Sequence, residues 1–485
     1  MIKKRFQNVV FYLLVIVVAV YSYYSFGSKI RDYVTSGDDG SFVEKKEPQS
    51  FDVCGGQPCN VILIVADTLS AENMSLYGYE RKTTPFLDSL AADRALVFDN
   101  SVSSASWTPP SMIALFFSRP PYKMHYEDIL SADTGLIQTL KDGGVDSVGF
   151  VKKFNTAAKV EIKPFVSAVV TNNFTQAGAE QYPSEYYEGN GEGFAAAHDW
   201  LQNRQSEKPY FMFIHDVTVH DPYKAPEEFQ GIFESAGTAG SYEFSFESPT
   251  STARLSPEEG YAARLAYDQE VVYLDSQIKD FVSGLGDLNN TVVIIVGDHG
   301  ETFGEVDGYG QHGRPNNVAA AYAYNQVVHV PLVIFGGGIK SGRNECVVST
   351  IDIAPTVLQL FSVPTPDIYE GKNLLSDVCQ HDIVYSEQSL IRTEFLSIFS
   401  NYESVASEKL NKYTFFEHGE ESIFVARNAR FKVIEGGGVF KVFDLSKDKK
   451  EQHDLADTLD ALSEEEKAEV ATLREYIKNV TAKSN

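Results

Sequence analysis

The chain has 485 residues, 43% of them apolar and 12% aromatic, enough for a packed core in one large domain with an appendage or in two to three smaller domains. Its 67 acidic and 41 basic side chains leave a formal charge of −26. That balance excludes nucleic acid as a partner, because counterion release needs a basic surface. An anionic substrate is repelled by it too, unless the site carries a strong local positive charge such as a bound metal.

Residues 6–28, FQNVVFYLLVIVVAVYSYYSFGS, hold no charge. Roughly 20 residues rising about 1.5 Å each cross a bilayer core, so the segment is long enough to span. Lys3, Lys4 and Arg5 place the N-terminus in the cytoplasm, and Tyr21, Tyr23 and Tyr24 suit the outer interface. No A-x-A arrangement of small residues ends the segment, which favours an uncleaved anchor over a cleaved signal peptide. The expectation is a single-pass protein of the cell (inner) membrane, anchored by residues 1–33, with the remainder in the periplasm or exterior. Residues 34–52 are polar and aperiodic and read as a stalk. The four cysteines agree with export. Cys54 and Cys59 bracket a Gly-Gly turn and Cys346 and Cys379 are candidates for a second bridge, although the count alone leaves three pairings open.

NVILIVAD (60–67) is a continuous apolar run ending in a carboxylate, the pattern of a strand buried on both faces of a parallel sheet. PYFMFIHD (209–216) and TVVIIVGDHG (291–300) repeat it, and HVPLVIFGGG (329–338) reads as another such strand. Helical stretches lie between, for example 83–93 and 265–285. The alternation predicts an α/β fold: a mostly parallel central sheet flanked by helices. Ligands of such sheets bind beyond the carboxyl ends of the strands, where Asp67, His215 and Asp298–His299 fall. From residue 384 the pattern changes to short alternating strands with Gly-rich turns (421–448) and a charged helix (463–480). This divides the exported part into a catalytic domain over 53–383 and a small α+β subdomain over 384–485.

GDHGE (297–301) sets Asp298 and His299 side by side after an apolar strand. A carboxylate oxygen with an imidazole nitrogen suits Mn²⁺ or Zn²⁺ better than Ca²⁺, which prefers oxygen alone. Asp67 alone reads equally as a helix N-cap. His220 in VHDPYKAP and His312 in YGQHGRPNN lie in loops. Thr108 lies in SWTPPSM, where Pro109 and Pro110 argue against a strand or long helix through it, and a helix is expected from Ser111. Locally, Thr108 is a turn residue beside a core tryptophan.

The order NVILIVADTLSAENMSLYGYERKTTPFLDSL…SASWTPPSM, then FIHDVTVHDPY, then VVIIVGDHGETFGE…GYGQHG, then HVPLVIFGGG and TIDIAPTVLQLF resembles the sulfatase family of the alkaline phosphatase superfamily. The likeness runs from about residue 58 to 480. It implies an alkaline phosphatase-like fold with Asp67, Asp298 and His299 as metal ligands, and Thr108 as a nucleophile coordinating the same metal. It also implies that His220 and His312 hold the transferring oxygens or assist the leaving group, with Lys152 or Lys153 as the site lysine. The departures are informative. Sulfatases of this family carry Cys or Ser in a C/S-x-P-S-R setting that is oxidised to formylglycine; here Thr108-Pro109-Pro110-Ser111-Met112 lacks the oxidisable residue and the arginine. The methyl on the threonine Cβ bars the aldehyde. Thr68 replaces the second Asp of a usual pair, and His299 stands where many members have Asn, which implies one Mn²⁺ or Zn²⁺ in preference to Ca²⁺.

That set resembles the superfamily's membrane-anchored threonine phosphotransferases, such as phosphoethanolamine and glycerophosphate transferases, which usually have several spans. The expected function is a membrane-anchored, metal-dependent hydrolase or transferase of phosphate or phosphonate esters acting through a covalent threonine. Its substrate is expected to be an anionic ester, on a lipid head group or envelope glycan. Sulfate ester hydrolysis without formylglycine is the alternative, and a non-catalytic membrane-anchored binding protein of the same fold is the second.

Overall fold

A computed structural model of the chain describes residues 53–152, 180–184, 192–233, 241–242, 253–305, 309–310, 323–388, 390–391, 416–420 and 422–482. The expected anchor and stalk (1–52), Lys153 and His312 lie outside these residues. Among the described residues, no helix is long and apolar enough to cross a membrane.

The apolar runs form the middle of one eight-stranded sheet. In chain order its strands are β1 (Asn60–Ala66), β2 (Ala95–Val102), β3 (Asp146–Lys152), β4 (Glu180–Ser184), β5 (Tyr210–Asp216), β6 (Thr291–Gly297), β7 (Leu332–Gly336) and β8 (Gly342–Ser349). Their spatial order is β8-β2-β7-β6-β1-β5-β3-β4. All neighbours are parallel except those of β7, which runs antiparallel to β2 and β6. The run 329–338 is thus a strand of this sheet but runs opposite to the direction its likeness to the others suggested. An apolar strand buried on both faces looks the same in either direction.

Alternation along the strands supplies two apolar faces. Val61, Leu63, Val65, Ile294 and Val296 pack on one side against α2 (Thr108–Phe117), α3 (Leu136–Asp142) and α6 (Ile353–Leu360). Ile62, Ile64, Met212, Ile214 and Ile295 pack on the other against α1 (Pro85–Asp93), α4 (Glu192–Asn203) and α5 (Pro257–Gly284). The helices are tied down at their ends. Ser256 and Glu259 form a capping box at the start of α5, and Asp275 of α5 accepts from the backbone N–H groups of Phe86 and Leu87 in the first turn of α1 at 2.7 and 3.0 Å.

A second, antiparallel sheet follows: β9 (Val384–Gln388), β10 (Ile423–Arg427), β11 (Phe431–Gly436) and β12 (Val439–Asp444). Helix α7 (Glu464–Ala482) covers it through Val470, Leu473, Ile477 and Val480. Strand β9 also joins the two sheets, since the Ser106 N–H donates to the Glu387 carbonyl at 3.3 Å and the Glu387 N–H to Ser104 at 3.1 Å. The C-terminal sheet therefore supports the segment that leads into Thr108. Cys54–Cys59 and Cys346–Cys379 are the two disulfides, a pairing the cysteine count left open.

Between the sheets lies a fully buried ion pair. Lys432 Nζ sits 2.5 Å from Glu451 Oε1 and donates to Asn325 Oδ1 at 3.0 Å, while Glu451 Oε2 accepts from the Asn325 N–H at 2.6 Å. Burial pushes the Lys432 ammonium down to about 8 against the pull of Glu451. Breaking one side of such a pair strands a charge in the interior. Glu451→Ala is expected to destabilise the protein by about 3–5 kcal/mol in urea unfolding. A loss below about 1 kcal/mol would show that water reaches the pair.

Candidate active site

Strand β1 lies at the centre of the sheet with β6 and β5 on either side, in a register that aligns Ala66 with Gly297 and with Asp216. Asp67 and Asp298 are each the first residue beyond these paired ends, and His215 is the last but one residue of β5. Period-two alternation puts Asp67 on the side of Val65, Asp298 on that of Val296 and His215 on that of Phe213. All three then share the face packed against α2. Their ligand atoms lie within 4.8 Å of one another, and all three residues are buried.

Thr108 enters from α2. The helix begins at Thr108, three residues earlier than the expected start at Ser111, and Pro109 and Pro110 fill its first turn. No intrahelical acceptor awaits the N–H groups of a first turn, so proline is tolerated there, and its fixed φ favours the helix. The proline pair that argued against a helix through Thr108 is what starts one. Thr108 Oγ1 lies 3.2 Å from Asp67 Oδ1 and 3.1 Å from His299 Nε2. The Nδ1 of His299 donates to the Gly300 carbonyl at 2.9 Å, so in the neutral ring Nε2 is the acceptor and faces the hydroxyl. His299 Nε2 is 3.6 Å from both Asp67 Oδ1 and Asp298 Oδ2.

Thr68, at the position of the usual second carboxylate, holds a left-handed φ of 61°. This costs a β-branched residue about 1–3 kcal/mol. Three hydrogen bonds hold it: its N–H donates to Asp298 Oδ1 at 3.0 Å, its hydroxyl to the Val219 carbonyl at 2.6 Å, and its carbonyl accepts from Tyr267 at 2.7 Å. Thr68 therefore orients a carboxylate rather than replacing one. Gly297 and Gly300 have a packing reason: a Cβ there would collide with the carbonyl oxygens of Leu69 and Gln326 respectively.

The charges in the cluster are unequal. Burial opposes ionisation of Asp67, but the imidazoles of His220, His215 and His299 outweigh it and hold the carboxyl well below the usual range. Burial and the Asp67 charge push Asp298 well above it. Asp67 Oδ2, Asp298 Oδ2 and both ring nitrogens of His215 are buried and have no hydrogen-bond partner among the described residues. Groups of this kind fit a divalent cation, which removes the repulsion and fills the vacant lone pairs. The separations fit too: ligands about 2.0–2.1 Å from a tetrahedral ion stand roughly 3.3–3.4 Å apart. The spacings of Thr108 Oγ1 from Asp67 Oδ1 and His299 Nε2, 3.2 and 3.1 Å, and of His299 Nε2 from Asp67 Oδ1 and Asp298 Oδ2, 3.6 Å each, bracket that value. His215 was legible at a strand end but was not in the expected ligand set; its Nε2 faces Asp67 Oδ2 at 3.6 Å, beyond hydrogen-bond reach.

His220 lies on the loop after β5, with Nδ1 donating to the Asp221 carbonyl at 2.7 Å. Lys152 ends β3. The His220 loop is tied to α5, because the Lys224 N–H donates to Glu270 Oε1 at 2.6 Å and Thr218 Oγ1 to Gln277 Oε1 at 3.1 Å. Burial, with a lesser push from Asp216, raises Glu270 to about 8. An acid raised in the folded state keeps a proton that the unfolded chain has lost, so stability declines as pH rises from about 4.5 to 8. The Glu270 share of that decline is at most on the order of 5 kcal/mol. Glu270→Gln cannot ionise and is expected to flatten the slope between pH 6 and 8.5, read from urea midpoints; an unchanged slope would show that Glu270 does not cause it.

Residues 59–363 match the sulfatase family model. An arylsulfatase of Clostridium perfringens is 24% identical over 298 residues, covering 58% of this chain and 55% of that one. The phosphoethanolamine transferase EptA of Escherichia coli K12 is 24% identical over 266 residues, covering 53% and 43%. The chain thus spans about half the length of these relatives. The solved phosphonate monoester hydrolase of Agrobacterium radiobacter shares the fold, with a TM-score of 0.61, 17% identity and coverage of 88% of this chain and 96% of that one. With the sheet order, the strand-end carboxylates and a family model spanning most of the sheet in agreement, the chain belongs to the sulfatase family.

Proposed function

We propose that the protein is a membrane-anchored, metal-dependent hydrolase or transferase of phosphate or phosphonate esters that works through a covalent threonine intermediate. The observation that carries the reading is the buried Thr108 hydroxyl, 3.2 Å from Asp67 and 3.1 Å from His299 at the start of a helix. Asp67, Asp298, His299 and Thr108 would hold one Mn²⁺ or Zn²⁺, with His215 beside them. Bound there, the ion would lower the pKa of the hydroxyl and offset charge on the transferring oxygens.

This chain's residues account for the rest. One hydroxyl proton faces two acceptors, which orients Oγ1 and polarises its O–H bond. Oγ1 bonds to phosphorus as the ester bond to the leaving oxygen breaks, and that oxygen departs with a proton. Water or a second hydroxyl then displaces Thr108, restoring the side chain. His220, together with His312 and a lysine at 152 or 153, stabilises charge on the transferring group. Phosphorus rather than sulfur is favoured because a threonine ester has no hemiacetal route of release, so the second step is attack on the transferred group itself. The sulfatase-family membership is what favours the second reading, sulfate ester hydrolysis.

The test is turnover of paired aryl substrates, a phosphodiester and a sulfate monoester, by the full chain loaded with Mn²⁺ or Zn²⁺. Phosphodiester turnover supports the proposal. Sulfate turnover alone establishes the second reading, and no turnover of either, with no stoichiometric metal retained, points to a binding protein of the same fold.

A further inference from the structure

A cavity of about 1080 Å³ lies between the core and the C-terminal sheet, and none of Asp67, Thr108, His215, His220, Asp298 or His299 lines it. Charged side chains from both bodies face it, and most of its carboxylates are already engaged. Glu72 accepts from His329 at 2.9 Å, Asp99 pairs with Arg343, Glu305 with Arg264 and Glu451 with Lys432. Among the described residues the two that remain, Glu80 and Glu345, are exposed, where solvent screens them.

The cations do not balance in the same way. Arg427, Lys449 and Lys450 line the cavity from the C-terminal segment, and among the described residues none of them forms an ion pair with a carboxylate. Lys449 and Lys450 are exposed, but Arg427, at the end of β10, is only 3% exposed. Its Nη2 donates to Asn100 Oδ1 at 2.5 Å and its Nε to the Asn428 carbonyl at 3.4 Å. A guanidinium offers five N–H donors, of which the two hydrogen bonds to Asn100 and Asn428 use only part, and the group lines the cavity. Burial pushes it down to about 10, against the distant pull of Glu451 and Glu72. Glu451 and Glu72 act on this charge without a direct ion pair, and a planar fork of donors beside a cavity matches an oxyanion. In a chain with a formal charge of −26, such a cluster is also against the general trend of the surface.

We propose that this cavity is a second anion-binding site, in which Arg427 grips a phosphate or sulfate group and Lys449 and Lys450 draw it in from the mouth. It stands apart from the strand-end cluster and does not depend on that cluster's chemistry.

The test is equilibrium dialysis of the full chain against radiolabelled inorganic phosphate and sulfate in EDTA, which keeps a metal, and any anion bound through it, out of the strand-end cluster. About one site per chain is expected, with affinity at or tighter than about 1 mM. Arg427→Gln is expected to weaken it at least about 10-fold. Lys449→Gln/Lys450→Gln changes only exposed, unpaired side chains and is expected to weaken it about 2- to 5-fold with no change in melting temperature. Glycerol phosphate in competition distinguishes the source of the anion: tighter binding than inorganic phosphate indicates an ester ligand, and equal or weaker binding a free ion. Absence of binding up to about 10 mM overturns the proposal. So does wild-type binding by the lysine variant, which decides the matter alone if Arg427→Gln fails to fold.

Discussion

Thr108→Ala is expected to lower turnover of the aryl phosphodiester by at least about 10³-fold, because in the proposed mechanism the substitution removes the atom that forms the covalent bond. The fold should tolerate the change. Thr108 is the first residue of α2, and alanine is the better helix former. What is lost is a hydroxyl with two polar neighbours, Asp67 Oδ1 and His299 Nε2, both of which still face the site. Thr108→Ser keeps the oxygen on a freer side chain and is expected to retain activity within about 10-fold of the wild type. Rapid acid quench during turnover, followed by peptide mass spectrometry, should find the phosphoryl adduct on Thr108 in the wild-type enzyme and none in the alanine variant. An alanine variant that still turns over the substrate would remove Thr108 from the mechanism. An active wild-type enzyme without an adduct would favour direct attack by water, with Thr108 left to orient Asp67 and His299.

The sequence was most readable where one physical requirement dominated. A strand buried on both faces must be apolar throughout, and its first polar residue then marks the end where ligands bind; NVILIVAD, PYFMFIHD and TVVIIVGDHG show this directly. Direction is another matter, and β7 has the same composition as its neighbours while running against them. The flanking strands β2 and β8 carry Asp99, Asn100, Arg343 and Glu345 among their apolar residues, so neither presents a continuous run. At Thr108 two local rules competed. Proline breaks a helix in its interior and starts one in its first turn, and only the packing of α2 against the sheet decides which applies. His215 carries no mark that separates a ligand from a core histidine; its role depends on alternation along β5 and on what β1 and β6 bring opposite it. The cavity at Arg427 was beyond sequence reading, because its walls come from segments more than 300 residues apart, Asn100 and Arg427 among them.

Asp298→Asn is expected to act in opposite directions with and without metal. In the metal-free protein Asp67 and Asp298 are both buried, and the Asp67 charge is one reason Asp298 resists ionisation. An asparagine keeps the oxygen that accepts from the N–H groups of Thr68 and His299 at 3.0 and 2.8 Å, and stands in for the protonated acid while being unable to ionise beside Asp67. The metal-free variant should therefore be at least as stable as the wild type, by roughly 0–2 kcal/mol in urea unfolding. With Mn²⁺ or Zn²⁺ the order reverses. An ion at about 1,000 times its dissociation constant stabilises a protein by about 4 kcal/mol, and the variant, having lost a charged ligand, should lose most of that increment together with the activity. Melting of both proteins in EDTA and in excess metal gives four numbers and one crossing. If the metal stabilises both proteins equally, Asp298 is not a ligand, and the unpartnered nitrogens of His215 with Asp67 become the place to look for one. If neither is stabilised, the cluster does not hold these ions, and the buried Asp298 carboxyl, held protonated by its surroundings, would be the state in which the protein works.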